Sequence, residues 1–176
     1  GGTATSNATV TVTVPAVPTA SLSANPTSLI SGECSTLSWS STGGTSFSLT
    51  DVANPGSSGA ATVCPKSTKT YRYDVSNAGG STFDSLSITV YDPPGLTINA
   101  NPGTTITTGG SVTIEWSTTG DADRIVWLQG GITNLNLNSF QVVSPTSTTT
   151  YSAYVSGLGG TSSTVSVKII GYQIQT

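Results

Sequence analysis

A chain of 176 residues without a single histidine lacks the commonest general base, proton shuttle and nitrogen metal ligand before any motif is sought. Ser-His and Cys-His nucleophiles are excluded with it, and so is a histidine-bearing zinc site. Eight carboxylates remain, and two of them could form a glycosidase pair. None stands at matched positions in the two halves of the chain and none lies in a recognisable motif, so solvating the surface is their expected role. Gly157-Leu158-Gly159-Gly160 is glycine-rich, but it lies between two strand-patterned runs and reads as a hairpin turn, not a phosphate loop. Asp121-Ala122-Asp123, and Asp92 beside Pro93-Pro94, offer oxygens to Ca²⁺ without the spaced ligand run of a dedicated site. No catalytic residue, no metal site and no cofactor is expected, and the chain reads as a non-enzyme.

Charge excludes further classes. The five cations, Lys66, Lys69, Arg72, Arg124 and Lys168, are scattered, and the net charge is −3. Counterion release needs clustered cations, so a nucleic-acid partner is not expected. No apolar run approaches the roughly 18 residues of a membrane span. The opening Gly-Gly-Thr-Ala-Thr-Ser has neither the basic start nor the apolar stretch of a secretory leader, which suggests a processed or excised chain. Asn7-Ala8-Thr9 is a glycosylation sequon, of consequence only in a source that glycosylates its surface proteins.

The elements that would position any such group are strands. Ser and Thr occupy 60 of the 176 positions and only 7% of residues are charged. That composition belongs either to disorder or to β-structure, where Thr suits a half-buried pleat. Alternation of Val, Leu and Ile with Ser and Thr decides for strands. The chain also repeats itself. Ala24-Asn25-Pro26 matches Ala100-Asn101-Pro102, and Gly32 to Ser40 matches Gly109 to Ser117, so that Leu37/Trp39 correspond to Ile114/Trp116. Pro65 to Tyr71 matches Pro145 to Tyr151, and Gly79-Gly80 matches Gly159-Gly160. The offset grows from 76 to 80 residues, so the second copy carries loop insertions.

Within each copy the alternation predicts strands at Ala20–Ala24 and Leu96–Ala100, Cys34–Ser40 and Ser111–Ser117, then around Phe47/Leu49 and Ile125/Trp127. Further strands end at Val63-Cys64 and Val143-Ser144, carry Tyr71/Tyr73/Val75 and Tyr151/Ala153/Val155, and close the copy after each Gly-Gly. About seven strands per copy suit a two-sheet sandwich. The first residues, Gly1-Gly2 then Thr9 to Val14, repeat the pattern of a closing strand. Three segments follow: 1–16, the final strand of a preceding repeat with its linker, then domains at 17–92 and 93–176. Val10, Val12 and Val14 share one face of that orphan strand. Either a longer array was cut there, or the strand pairs with a neighbouring molecule by strand addition.

The run of a proline-ended first strand, Gly-x-(Cys/Ser)-x-x-(Leu/Ile)-x-Trp-Ser, Pro-x-x-Thr-x-Thr-Tyr and Gly-Gly before a Val-rich strand resembles bacterial immunoglobulin-like tandem repeats of surface and secreted proteins. The resemblance implies an all-β fold: two tandem immunoglobulin-like β-sandwich domains preceded by an orphan strand. Tyr71 and Tyr151 then resemble a tyrosine corner. The second and fifth strands are antiparallel neighbours in such a sandwich, so Cys34 and Cys64 should meet as an outer-face disulfide, two free thiols being the alternative. Secretion to an extracellular or cell-surface location would supply the oxidising compartment. Trp39, Trp116 and Trp127 are expected in the core; Tyr91 and Tyr172 are candidates for exposed or inter-domain contacts. Two functions follow: a non-catalytic structural repeat of a stalk, filament or adhesin, whose partners are its own copies or neighbouring domains, or a carbohydrate-binding accessory module of a secreted hydrolase that holds cell-surface glycan.

Overall fold

The structure, a computed structural model, describes residues 1–172, and the side-chain surroundings of residues 1–171. Every regular element among them is a strand. The first repeat holds β1 (Thr19–Asn25), β2 (Ser28–Ile30), β3 (Ser35–Thr42), β4 (Ser46–Leu49), β5 (Ser58–Val63), β6 (Lys69–Asn77) and β7 (Gly80–Tyr91). The second holds β8 (Gly95–Asn101), β9 (Thr105–Thr107), β10 (Val112–Thr119), β11 (Arg124–Gln129), β12 (Ser139–Val143), β13 (Thr149–Gly157), β14 (Gly160–Thr161) and β15 (Val165–Tyr172).

Period-2 patterning produces these strands directly. In β3, Ser35, Leu37 and Trp39 are buried while Thr36, Ser38 and Ser40 are exposed. β10 repeats the pattern with Val112, Ile114 and Trp116 inward. Successive side chains on a strand point to opposite faces, so this alternation can only serve a sheet with one wet face.

Each repeat is a three-stranded sheet facing a four-stranded path. The orders are β1-β3-β5 with β2-β7-β6-β4, and β8-β10-β12 with β9-β15-β13-β11, β14 pairing β13 beside that path. The opening strand of each repeat changes sheets part-way. β1 lies antiparallel to β3, passes the cis Asn25-Pro26 bond, and re-enters as β2 parallel to the end of β7. β8, cis Asn101-Pro102 and β9 do the same. The sequence reading ends the first strand at Asn-Pro and does not place β2 or β9, because three residues are too few to show a period. By packing, the chain divides into two compact units: 1–27 with 34–64 and 69–88, and 28–33 with 65–68 and 89–176.

Both cores centre on the tryptophan of the second long strand. Trp39 is 7% exposed and Trp116 3%. A buried indole N–H must find an acceptor. Trp39 Nε1 donates to Pro55 O at 2.9 Å, and Trp116 Nε1 to Asn136 O at 2.7 Å. Each bond draws the connection that precedes β5 or β12 inward against the core.

The residues beside the tryptophan differ in an instructive way. In the first repeat the registered pair is Leu49 and Tyr73; in the second it is Trp127 and Ala153. The large aromatic comes from β6 in one and from β11 in the other. Tyr73 packs at 6.5 Å from Trp39, and Trp127 at 5.1 Å from Trp116 in an edge-on contact. Interiors are close-packed, so neighbouring strands trade volume instead of both growing. Tyr73 donates its hydroxyl proton to Gly56 O at 2.7 Å. Trp127 Nε1 is buried without a partner among the described residues, and the side chain as a whole is half-buried, so the expectation that all three tryptophans are core holds fully for two of them.

This exchange is testable by a double-mutant cycle. Tyr73→Ala alone should cost about 3–5 kcal/mol, as large-to-small core changes do. Adding Leu49→Trp, which imports the second repeat's pair, should recover part of that loss. A urea-denaturation coupling energy of about 1 kcal/mol or more is the expected reading; strict additivity would show that the two sites do not share volume.

Candidate interaction surfaces: the cross-strand disulfide, linker seats and strand edges

β3 and β5 pair antiparallel with Ser35 opposite Val63, which sets Cys34 directly opposite Cys64 one step beyond. The two are joined in a disulfide with Cα atoms 4.2 Å apart. That separation suits the closely spaced, non-hydrogen-bonded pair of an antiparallel ladder. Both cysteines are exposed, on the face opposite Leu37 and Trp39. The second repeat keeps the geometry and changes the chemistry: Ser111 and Ser144 are directly opposite beyond the Val112–Val143 pair, their hydroxyls 3.1 Å apart.

Tyr71 and Tyr151 are buried at 1% and 2% exposure on β6 and β13. Burial pushes the Tyr71 phenol above its ordinary value, with the Asp51 carboxylate adding to it; burial alone does the same for Tyr151. Among the described residues neither hydroxyl makes a hydrogen bond of the kind that defines a tyrosine corner, and the phenol that closes on backbone is Tyr73. Lys69 stands over the Tyr71 ring and pairs with Asp51.

Most of the carboxylates have defined partners, where sequence reasoning expects mainly solvation. Glu33 accepts the Ile30 N–H at 2.9 Å and Asp84 accepts the Leu22 N–H at 2.8 Å. Asp74 pairs with Arg72, whose guanidinium stacks 3.7 Å from the Phe83 ring centroid. Asp121 accepts the Asp92 N–H at 2.6 Å, which gives this member of the calcium-candidate pair a role as a clasp. No grouping of three or more metal-ligating side chains occurs among the described residues. No described helix is long and apolar enough to cross a membrane.

The Gly-Gly turns turn out to be seats for the preceding linker. A Cβ on Gly79 would stand 1.9 Å from Pro15 O, and one on Gly159 2.0 Å from Asp92 O. Only glycine lets a carbonyl approach so closely. Asn77 Nδ2 reinforces the first seat by donating to Ala16 O at 2.8 Å and Gly43 O at 2.7 Å. At the second, the Asp121 N–H donates to Asp92 O at 3.0 Å. Sequence alone shows a turn here; the linker's carbonyl arrives only in three dimensions.

Residues 1–18 lie outside any strand, with Val10, Val12 and Val14 exposed at 83%, 81% and 69%. The sequence's orphan strand thus pairs with no strand among the described residues. Other exposed apolar side chains include Phe140 at 62% and Val142 at 57%, on the outer face of β12. Phe140 lies in one cross-strand row with Glu115 and Asn99 and lines an open groove with Ser117 and Ser139. Tyr91 is half-buried, and the Tyr172 side chain lies outside the described residues.

No family model matches the chain and no curated protein matches its sequence. Solved structures do. An I-band fragment of titin is 16% identical with a TM-score of 0.62, covering 92% of this chain and 67% of that one. A mutated three-immunoglobulin-domain titin fragment gives 14% identity and a TM-score of 0.61 over 92% and 67% of the two chains. The N-terminal four immunoglobulin domains of Dscam1 isoform 9.44 give 14% and 0.54, this chain spanning 47% of their length and aligning over 92% of its own. At such identities the likeness concerns fold. The fold is that of tandem immunoglobulin-like β-sandwich domains.

Two expectations follow. Replacing Cys34 and Cys64 together by serine, the second repeat's solution, should destabilise the first repeat by about 3–4 kcal/mol in the chain-entropy model. The second repeat should melt unchanged, as two calorimetric transitions would reveal. Gly159→Ala should expel the Asp92 carbonyl from its seat. Faster proteolysis between residues 91 and 95, with near-normal far-ultraviolet circular dichroism, is the expected signature.

Proposed function

We propose that the chain is a non-catalytic structural repeat of an extracellular stalk, fibre or adhesin. Its modules are 17–92 and 93–176, and residues 1–16 are the closing strand and linker of a preceding repeat. The observation that carries this reading is the duplicated linker seat. Gly79 takes Pro15 O as Gly159 takes Asp92 O, so the same docking precedes each module, as a tandem array requires. A docked, proline-bearing linker restricts bending, which suits a spacer. The exposed disulfide supports an oxidising, extracellular setting, and the partners are copies of the chain or neighbouring immunoglobulin-like domains. Where that closing strand is not paired within its own preceding repeat, assembly is by strand addition through the face of Val10, Val12 and Val14.

A second reading, a carbohydrate-binding module, has one specific observation in its favour. Phe140 stands exposed beside Glu115 and Asn99, an aromatic face next to a carboxylate and an amide, the chemistry that stacks on and hydrogen-bonds a sugar. The equivalent row of the first repeat is Ala60, Ser38 and Ser23, with no such chemistry. The two readings separate in a polysaccharide pull-down combined with single-molecule stretching. A spacer should give independent unfolding events for the two modules and no retention on polysaccharide. Retention abolished by Phe140→Ala would favour the second reading and count against the first.

A further inference from the structure

We propose that the outer edge of β5 in one copy receives residues Thr9–Val14 of a second copy as an added strand. The inference rests on the reading of this chain as a repeat that assembles by strand addition, and it names the receiving edge.

An open sheet edge invites another strand, and four edges of these sandwiches, β1, β2, β4 and β12, carry a bond that occupies an edge group. On β1 the outward N–H of Leu22 is held by Asp84, a carboxylate reaching across from β7. On β2 the Ile30 N–H is held by Glu33. β4 has only four residues, and its last carbonyl, Leu49 O, is taken by Val52 N–H at 3.1 Å. On β12 the Asn134 side chain bonds Phe140 O at 3.3 Å, while Gln141 holds the Thr133 and Asn134 N–H groups against that strand.

β5 has none of these devices. The Ser41 N–H donates to Ser57 O at 2.8 Å, which sets the phase of the ladder: Gly59, Ala61 and Val63 face β3, and Ser58, Ala60 and Thr62 present their backbone groups outward. No hydrogen bond to those outward groups occurs among the described residues. The strand is Ser-Gly-Ala-Ala-Thr-Val, small, uncharged and without proline or bulge. β1 continues into β2, so β4 and β5 share the opposite flank of the sandwich. There the three-stranded sheet ends one strand short of its four-stranded partner.

The donor fits in length, charge and polarity. Thr9–Val14 and β5 are both six residues long, and no charged side chain precedes Glu33. Laid beside β5, the valines extend the inner face next to Gly59 and Ala61, while the threonines extend the Ser/Ala/Thr outer face. A one-residue slip would reverse both, so the register is specified. Pairing of β5 with another β5 would bring together only small side chains and leave the valines exposed. A donor segment and a receiving edge that differ form a heterologous contact, which propagates head to tail, as a ring if the rotation closes and as a filament if it does not.

The test uses the full chain in sedimentation velocity. Val12→Lys spoils the donor, and Ala60→Pro removes an outward N–H from the receiving edge without touching the ladder to β3. Each variant alone should be monomeric where the unaltered chain assembles. Their mixture should form a one-to-one complex and nothing longer, since only one donor and one edge remain competent. Ala60→Lys repeats the edge test should the proline variant lose its circular dichroism spectrum or melting point. If Val12→Lys is monomeric while the folded edge variants still assemble, the receiving edge is wrong and strand addition survives. Absence of a complex in the mixture also overturns the edge. An unaltered chain that stays monomeric at every concentration overturns both.

Discussion

The indole of one tryptophan per repeat, and the carbonyl it must bond, organise these sandwiches. Trp39 and Trp116 are too large to sit in a thin two-sheet core without touching both sheets, and too polar at one atom to be left there unpaired. Pro55 O and Asn136 O answer that requirement from the connection that follows β4 and β11. That connection is thereby drawn inward at its end, and β5 and β12 start beside the tryptophan they help to cover. Gly59, opposite Trp39 in register, shows how tight the fit is: a Cβ there would stand 2.5 Å from the ring.

The two repeats solve this packing problem with different residues, and the differences are coupled. Leu49 with Tyr73 and Trp127 with Ala153 are registered neighbours whose sizes are exchanged. The first arrangement brings a hydroxyl with a partner in Gly56 O, and the second leaves an indole N–H buried without one among the described residues. Cys34–Cys64 and Ser111/Ser144 form another coupled exchange at a closely spaced ladder pair, a covalent bond in one repeat and a hydroxyl contact in the other. Repeats that share a backbone plan thus differ in how firmly β3 is tied to β5 and β10 to β12.

In a structural repeat of the kind proposed, function falls to the ends and edges of each sandwich. At the ends, Gly79 and Gly159 hold the preceding linkers, Asn77 and Asp121 adding hydrogen bonds. At the edges, acidic side chains do the protective work: Asp84 and Glu33 occupy backbone donors that would otherwise recruit a strand. A chain with only 7% charged residues places several of them where they close hydrogen bonds of its own backbone.

The sequence by itself determined the strand content, the duplication and the inward residues, because period-2 alternation is a local property that any sheet with one wet face must obey. Leu37, Trp39, Ile114 and Trp116 could be placed inward from their spacing alone. The cysteine pairing needed one step more, the adjacency of the strands now seen as β3 and β5, which the family resemblance supplies. Tertiary structure alone decided the rest. β2 and β9 are too short to carry a period and exist only because β7 and β15 offer them a parallel edge. Asp84 reads as a solvating acid until β1 is seen to lie within reach of its carboxylate. Gly79 and Gly159 read as turn residues until a linker carbonyl arrives from more than sixty residues away in the chain. Each of these depends on which segments the sandwich brings together, a relation that no local pattern encodes.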